Sequence, residues 1–144
     1  MARAFALAGL LRLRQIEKEH AASDLAAANA LRREAGERQA RAIAALHSIP
    51  ADATDASTLF AMAAARASSR SMLADLDALA AQREAQAAAA QQVFTEAKKR
   101  AVGLEKLETR HRAEVVASEL SAEQSAIDEV ATGAWQRARE GGEA

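Results

Sequence analysis

The sequence contains no cysteine and no tyrosine, a single proline in 144 residues, and only 3% aromatic residues. Without cysteine there is neither a disulfide framework nor a thiol nucleophile, which fits a reducing compartment. With so few large side chains, a compact core would be thin. These absences argue against a large globular core.

Neither sign of charge is in large excess, and long apolar runs are also scarce. The formal net charge is −1, so there is no bulk field to attract nucleic acid or an anionic membrane. The apolar run AFALAGLL near the N-terminus is short for a signal peptide and far too short to span a bilayer. The sequence therefore predicts a soluble, cytoplasmic protein with no nucleic-acid partner.

Alanine is the most prominent feature of what is present, with 42 residues. Alanine, arginine, glutamate, glutamine and leucine lose little side-chain freedom in a helix, so a chain dominated by them favours long helices or a coiled coil. The composition predicts an all-α protein.

The only proline, Pro50, lies within HSIPADATDAST, where turn-forming residues cluster. We predict one domain over residues 1–144, with a helix over about 4–48, a turn over about 49–56 and a helix over about 57–140. A short loop makes the two helices antiparallel neighbours. The start of the second helix has three candidate N-cap residues, Asp55, Ser57 and Thr58.

Both predicted helices carry apolar residues at alternating three- and four-residue steps, the pattern of a coiled-coil seam. The first seam is interrupted by Arg14, Lys18, Arg32 and Gln39, and the second by Arg83 and Gln86. The first seam contains Leu7, Leu11, Ala21, Leu25, Ala28, Ala35, Ala42, Leu46 and Ile49. The second contains Met62, Ala65, Met72, Leu76, Leu79, Ala90, Val93, Ala97, Leu104 and Leu107.

A hairpin folded symmetrically about the turn places residue 31 beside residue 76, and residue 5 beside residue 102. The second helix then continues alone from about Leu104, as a C-terminal overhang of roughly 50 Å at 1.5 Å per residue. The sequence of this overhang shows no clear apolar stripe and has a run of acidic residues. The predicted fold is a long antiparallel two-helix coiled-coil hairpin with a C-terminal helix overhang.

Both ends of the chain resemble the flagellar export protein FliJ family. The C-terminal resemblance rests on Lys98-Lys99-Arg100, LEKL at 104–107 and the spacing from there to DE at 128–129. The N-terminal resemblance rests on FALAGLLRLRQIEKE, an aromatic residue followed by leucines, LR and acidic residues.

The resemblance implies a helical hairpin similar to the central stalk of rotary ATPases. It implies three partners: the ring of the flagellar export ATPase, the cytoplasmic platform of the membrane export gate, and export chaperones. It also implies peripheral association with the inner face of the cell membrane through the export apparatus. No cofactor and no catalytic residue are expected.

Two groups of residues are candidates for partner binding. Glu114, Glu119 and Glu123 carry the acidic run of the overhang, and Trp135 is either an interface anchor or an incidental surface residue. Leu59, Phe60 and Met62 follow the turn, and they either pack the tip of the hairpin or form an apolar docking spot.

Motifs for chemistry are weak. The E-x-x-H pairs Glu17/His20 and Glu108/His111 have the spacing of metal ligands on one helix face. However, the symmetric hairpin keeps them apart, so two solvated histidines are expected. There is no G-x-x-x-x-G-K-[ST] phosphate loop. Besides the flagellar export component, two interpretations stay open: a self-associating structural coiled coil and the equivalent stalk protein of an injectisome.

Overall fold

The computed structural model describes residues 4–142 and is all-α. Helix α1 spans Ala8–His47 and helix α2 spans Ala56–Glu140. The two helices pack against each other as an antiparallel hairpin, which confirms the predicted fold class. The chain divides into two compact units, one formed by the N-terminal residues through Arg14 with the segment from Arg100 onward, the other by Gln15–Lys99.

In the Gln15–Lys99 unit, two contacts define how α1 and α2 are aligned. A guanidinium nitrogen of Arg32 lies 3.3 Å from a carboxylate oxygen of Glu84, and the amide of Gln39 donates a 2.5 Å hydrogen bond to Asp77. In both pairs the two residue numbers add up to 116, whereas those of the predicted pair, residues 31 and 76, add up to 107. The predicted pairing of residue 31 with residue 76 is therefore wrong by about nine residues.

The loop explains this shift. The carbonyl oxygen of Pro50 accepts a 3.0 Å hydrogen bond from Arg66, which lies ten residues into α2. The loop therefore runs back along the start of α2. An extended chain covers about 3.3 Å per residue, against 1.5 Å in a helix, so a few loop residues span several helical turns. The symmetric fold assumed from the sequence ignored this difference.

The seam of α1 matches the sequence prediction closely. Its less exposed positions run from Leu11 to Leu46 at alternating steps of three and four and include Arg14, Lys18 and Gln39. Arg32 is the exception: it is exposed and leaves a step of seven residues between Ala28 and Ala35. Leu7, in contrast, is 40% exposed. A seam of this period is the pattern of coiled-coil packing.

The seam of α2 is only partly as predicted. Met62, Leu76, Ala90, Ala97 and Leu104 lie on it. Met72, Val93 and Leu107 are 56%, 61% and 45% exposed, and the next residue along the chain takes the seam position in each case. These next residues are Leu73, Phe94 and Glu108.

Alanine dominates the buried positions. Met62 and Leu11 are the only buried residues with large side chains among residues 4–142. Small side chains allow two helix axes to approach closely, but each contributes little apolar area. The other buried residues are Ala21, Ala35, Ala87 and Ala97 in one unit and Ala101 in the other.

Candidate partner-binding surfaces

The start of α2 is fixed by Asp55. Its carboxylate accepts a 2.7 Å hydrogen bond from the backbone N–H of Thr58, and its carbonyl accepts the first helical bond from Leu59. Asp55 is therefore the N-cap among the three candidates. The hydrogen bonds from the backbone and side chain of Thr58, and then from the backbone of Ser57, hold the pKa of Asp55 below its ordinary value.

The three apolar residues behind this cap have different environments. Met62 is buried at 7% exposure, whereas Leu59 is 58% and Phe60 76% exposed. Met62 thus packs within the hairpin, while Leu59 and Phe60 form an exposed apolar pair on the first turns of α2. Their role in partner binding stays a prediction.

The unit that contains the chain ends has a contact that the sequence did not predict. The rings of Phe5 and His111 lie 5.6 Å apart between centroids, with an interplanar angle of 40°. Since Phe5 faces His111 and not residue 102, the packed part of α2 continues beyond Leu104. The predicted start of the overhang at Leu104 is therefore too early.

Beyond this contact, α2 is exposed around its circumference. Every residue from 116 to 132 is exposed, Gly133 is intermediate, and residues 134–142 are again exposed. We call residues 116–142 the terminal segment. An isolated helix of this kind gains little from tertiary packing, which is where most helical stability in proteins originates.

The predicted acidic residues do not form one cluster. Glu119 and Glu123 are i,i+4 neighbours on one side of α2. Glu114 precedes the terminal segment and lies about 140° around the helix from Glu119 at 100° per residue. Only Glu119 and Glu123 can therefore face the same partner surface.

Trp135 is 58% exposed, and the guanidinium carbon of Arg139 lies 4.5 Å from its ring centroid. This stacking is a cation–π contact within one helix turn. One face of the indole is therefore occupied by Arg139. An anchor role for Trp135 stays a prediction.

An apolar row on the terminal segment was missed, and the expectation that this part of the chain has no clear apolar stripe is wrong. Val116, Leu120, Ile127 and Val130 are 50%, 61%, 56% and 69% exposed. Shallow apolar grooves along the row are edged by the alanines Ala113, Ala117, Ala126, Ala131 and Ala134. We call these nine residues the outer stripe.

The outer stripe was visible in the sequence as spacing. Positions 116, 120, 123, 127, 130 and 134 alternate steps of four and three, and Glu123, which is not part of the outer stripe, is the one charged residue at this spacing. The row is hard to recognise in the sequence for two reasons. Many of its positions are alanine, and it lies on a different side of α2 from the seam, roughly 120° around the helix from Leu104, Glu108 and His111 at 100° per residue. It is not a continuation of the seam that packs on α1.

Residues 4–142 contain no group of three or more histidine, aspartate or glutamate side chains placed to hold a metal ion. No helix in this range combines the length and apolar character needed to cross a membrane. The features that stand out in the described residues are exposed helix surfaces.

The fold and these surfaces define a class of protein: a two-helix coiled-coil hairpin with an exposed helical extension. The sequence model of the family described as "Flagellar FliJ protein" matches residues 3–140 of the chain. The chain belongs to this family, and it is therefore a component of flagellar protein export, as the resemblance implied. No curated protein and no solved structure matches the chain.

Proposed function

We propose that this protein is a non-catalytic central stalk of the flagellar export ATPase ring, with the terminal segment as the part that enters the ring. The observation that carries the proposal is the exposure of α2 from residue 116 onward. A helix that buries no face within its own chain is marginal alone, and an enclosing partner would stabilise it.

Charge gives the terminal segment a preferred environment. Glu119 and Glu123 lie on one side of it, and Arg137 and Arg139 lie near its end. A ring lined with basic side chains opposite the two glutamates would orient the helix. Charge complementarity of this kind acts mainly on encounter rate and register.

The mechanism is a shift of populations and not added chemistry. A stalk that contacts the subunits of a ring unequally favours closure of some subunits over others. The stalk itself needs no nucleotide site for this role. The hairpin would then link the ring to the cytoplasmic platform of the export gate and present export chaperones, at the inner face of the cell membrane.

The test is an ATPase assay with the cognate flagellar export ATPase. The full chain should stimulate turnover, whereas a chain truncated after Val115 should not. Circular dichroism supplies the control, because the truncated chain should keep the melting transition of the hairpin. Unchanged turnover over a wide molar ratio of the full chain would rule out the stalk role.

Exposed residues on the first turns of α2 offer a contact for the gate platform or a chaperone. Leu59 and Phe60 lie at the start of α2, away from the seam. Phe60→Ala should weaken binding to one of these two partners while leaving ATPase stimulation unchanged. Met62 is buried and serves as the structural comparison.

A further inference from the structure

Any partner that covers the outer stripe must be a surface other than α1. It carries four large apolar side chains, each at least half exposed. It faces away from the side of α2 that packs on α1, so the hairpin cannot cover it. An apolar row at three- and four-residue steps is the surface that another helix covers in a coiled coil.

The order of side chains along the outer stripe is nearly symmetric about the midpoint between Glu123 and Gln124. Leu120 and Ile127 are equally far from this midpoint, as are Ala113 and Ala134. Val116 matches Ala131 at the same distance, and Ala117 matches Val130. Reading the row from either end therefore gives almost the same pattern.

We propose that the outer stripe pairs with the outer stripe of a second copy of this chain, antiparallel and centred between Glu123 and Gln124. Leu120 then packs on Ile127 of the second copy. Each valine faces an alanine, so large side chains meet small ones across the contact. The palindrome makes the same surface complementary to itself, as a two-fold interface requires.

The centre of the contact is polar and weakens the pair. In the antiparallel register, each Glu123 is only one residue along the axis, about 1.5 Å, from Glu123 of the second copy and on the same edge. The two carboxylates therefore repel each other in the antiparallel orientation as they would in the parallel one, and the antiparallel orientation rests on the matching order of apolar side chains. The Gln124 amide has two N–H donors, and the 3.0 Å hydrogen bond to Asp128 uses one of them.

The edges of the contact are compatible with it. In the antiparallel register, Glu119 lies beside Ala126 of the second copy, and Arg112 beside Gly133. On the other edge, Ala117 lies beside Ala131. No like charges meet at these flanking positions, and the small residues permit close approach.

The size of the contact sets its strength. The stripe spans 22 residues, about 33 Å of helix. Specific interfaces bury about 1,200 Å² or more, and a single helix pair of this length is at the low end of that range. The pairing is therefore weak and depends on concentration, and it conceals the surface of the terminal segment while it lasts.

Cysteine crosslinking tests the register directly, because the native chain contains no cysteine. An oxidised mixture of Ala113→Cys and Ala134→Cys chains should give a covalent dimer containing one of each. Neither variant alone should crosslink, since identical positions lie about 32 Å apart in the antiparallel pair. A mixture of Ser118→Cys and Glu129→Cys is the matched control, at equal distances from the midpoint but on another side of α2.

Crosslinks of Ala113→Cys or Ala134→Cys chains with themselves would show a parallel pair and overturn the proposal. Equal crosslinking of the test and control mixtures would also overturn it, because contact would then not depend on the outer stripe.

Sedimentation of the full chain from about 1 to 500 µM provides a second measurement that needs no cysteine. Leu120→Lys should weaken dimerisation by about tenfold or more, whereas Ser118→Lys adds the same charge and should leave it unchanged. Circular dichroism verifies that both variants are helical. A native chain that is monomeric over this range contradicts the proposal.

This inference and the stalk proposal fail separately. If the native chain stays monomeric and Leu120→Lys abolishes ATPase stimulation, the outer stripe serves the ATPase and self-pairing is wrong. If the chain dimerises through the stripe without affecting any export ATPase, self-pairing stands and the stalk role is wrong.

Discussion

The ring of Phe5 packs 5.6 Å from the ring of His111, between centroids, and this contact joins the start of the chain to a point well past the middle of α2. It marks where the partly buried part of α2 nears its end, since exposure becomes continuous a few residues later. The contact thus separates the helix that packs from the helix that remains available to partners.

We expect the Phe5–His111 contact to contribute modestly to stability. Tilted aromatic pairs are worth about 0.5–1.5 kcal/mol beyond area burial, and this pair is partly exposed, which favours the lower end. A double-mutant cycle with Phe5→Ala and His111→Ala, measured by urea unfolding, should give a coupling free energy of about 0.5 kcal/mol. Strictly additive single effects would show that the rings do not interact.

The register of the hairpin is testable by disulfide formation within one chain. Gln39→Cys with Asp77→Cys should crosslink readily, since their side chains are hydrogen-bonded across the helices. The pair Leu31→Cys with Leu76→Cys should not, because those positions lie about nine residues out of register. Crosslinking is measured by gel mobility under dilute conditions. The opposite result would show that the symmetric register, with residue 31 beside residue 76, is correct.

The N-cap gives a pH-dependent prediction. The pKa of Asp55 is lowered from 3.8, so the native state favours its charged form. Its contribution to stability is present above the unfolded pKa and is lost as the pH falls through the lowered folded value. Asp55→Ala should therefore reduce the melting temperature at about pH 7, and the difference should shrink as the pH falls below the ordinary aspartate pKa of 3.8.

Asp55→Asn is the control for this titration. Its side-chain oxygen still accepts from Thr58 but does not ionise. The Asn variant should be closer to the native protein than the Ala variant, with a difference from Ala that does not depend on pH. An Asp55→Ala effect that persists undiminished in acid would contradict the electrostatic part of the argument.

Two neighbouring apolar residues should respond differently to truncation. Met62→Ala should reduce the free energy of unfolding by about 2 kcal/mol, the lower end for buried methionine, because a two-helix seam is thin. Phe60→Ala should change it by less than about 0.5 kcal/mol, since the ring is 76% exposed. Urea unfolding of both variants provides the measurement, and equal losses would mean that Phe60 is covered.

Charge reversal tests the acidic side of the terminal segment. Replacing Glu119 and Glu123 with lysine should weaken ATPase binding more at low salt than at high salt, because exposed charges are screened over about 10 Å at 0.1 M. Glu114→Lys is the matched single reversal on another side of the helix and should have a smaller effect than Glu119→Lys. A salt-independent loss would point to packing and not to charge.

The sequence by itself determined the two helices, the turn and the seam of α1. Pro50 and the polar residues around it form the break between two runs of helix-forming residues. These are local effects that need no tertiary structure. The heptad of α1 was readable because leucine and alanine alternate with clearly polar neighbours. On α2, Met72 stands beside Leu73 and Val93 beside Phe94, so apolar character could not decide which residue packs.

Only the tertiary structure decided the register of the hairpin. The path of the loop along α2, held by Arg66 on the carbonyl of Pro50, shifts every pairing by about nine residues. That shift moves the beginning of the exposed helix from Leu104 to residue 116, and it shows that the outer stripe is turned away from α1. Sequence periodicity identifies a face on a helix, but which face meets which neighbour depends on contacts between residues far apart in the chain.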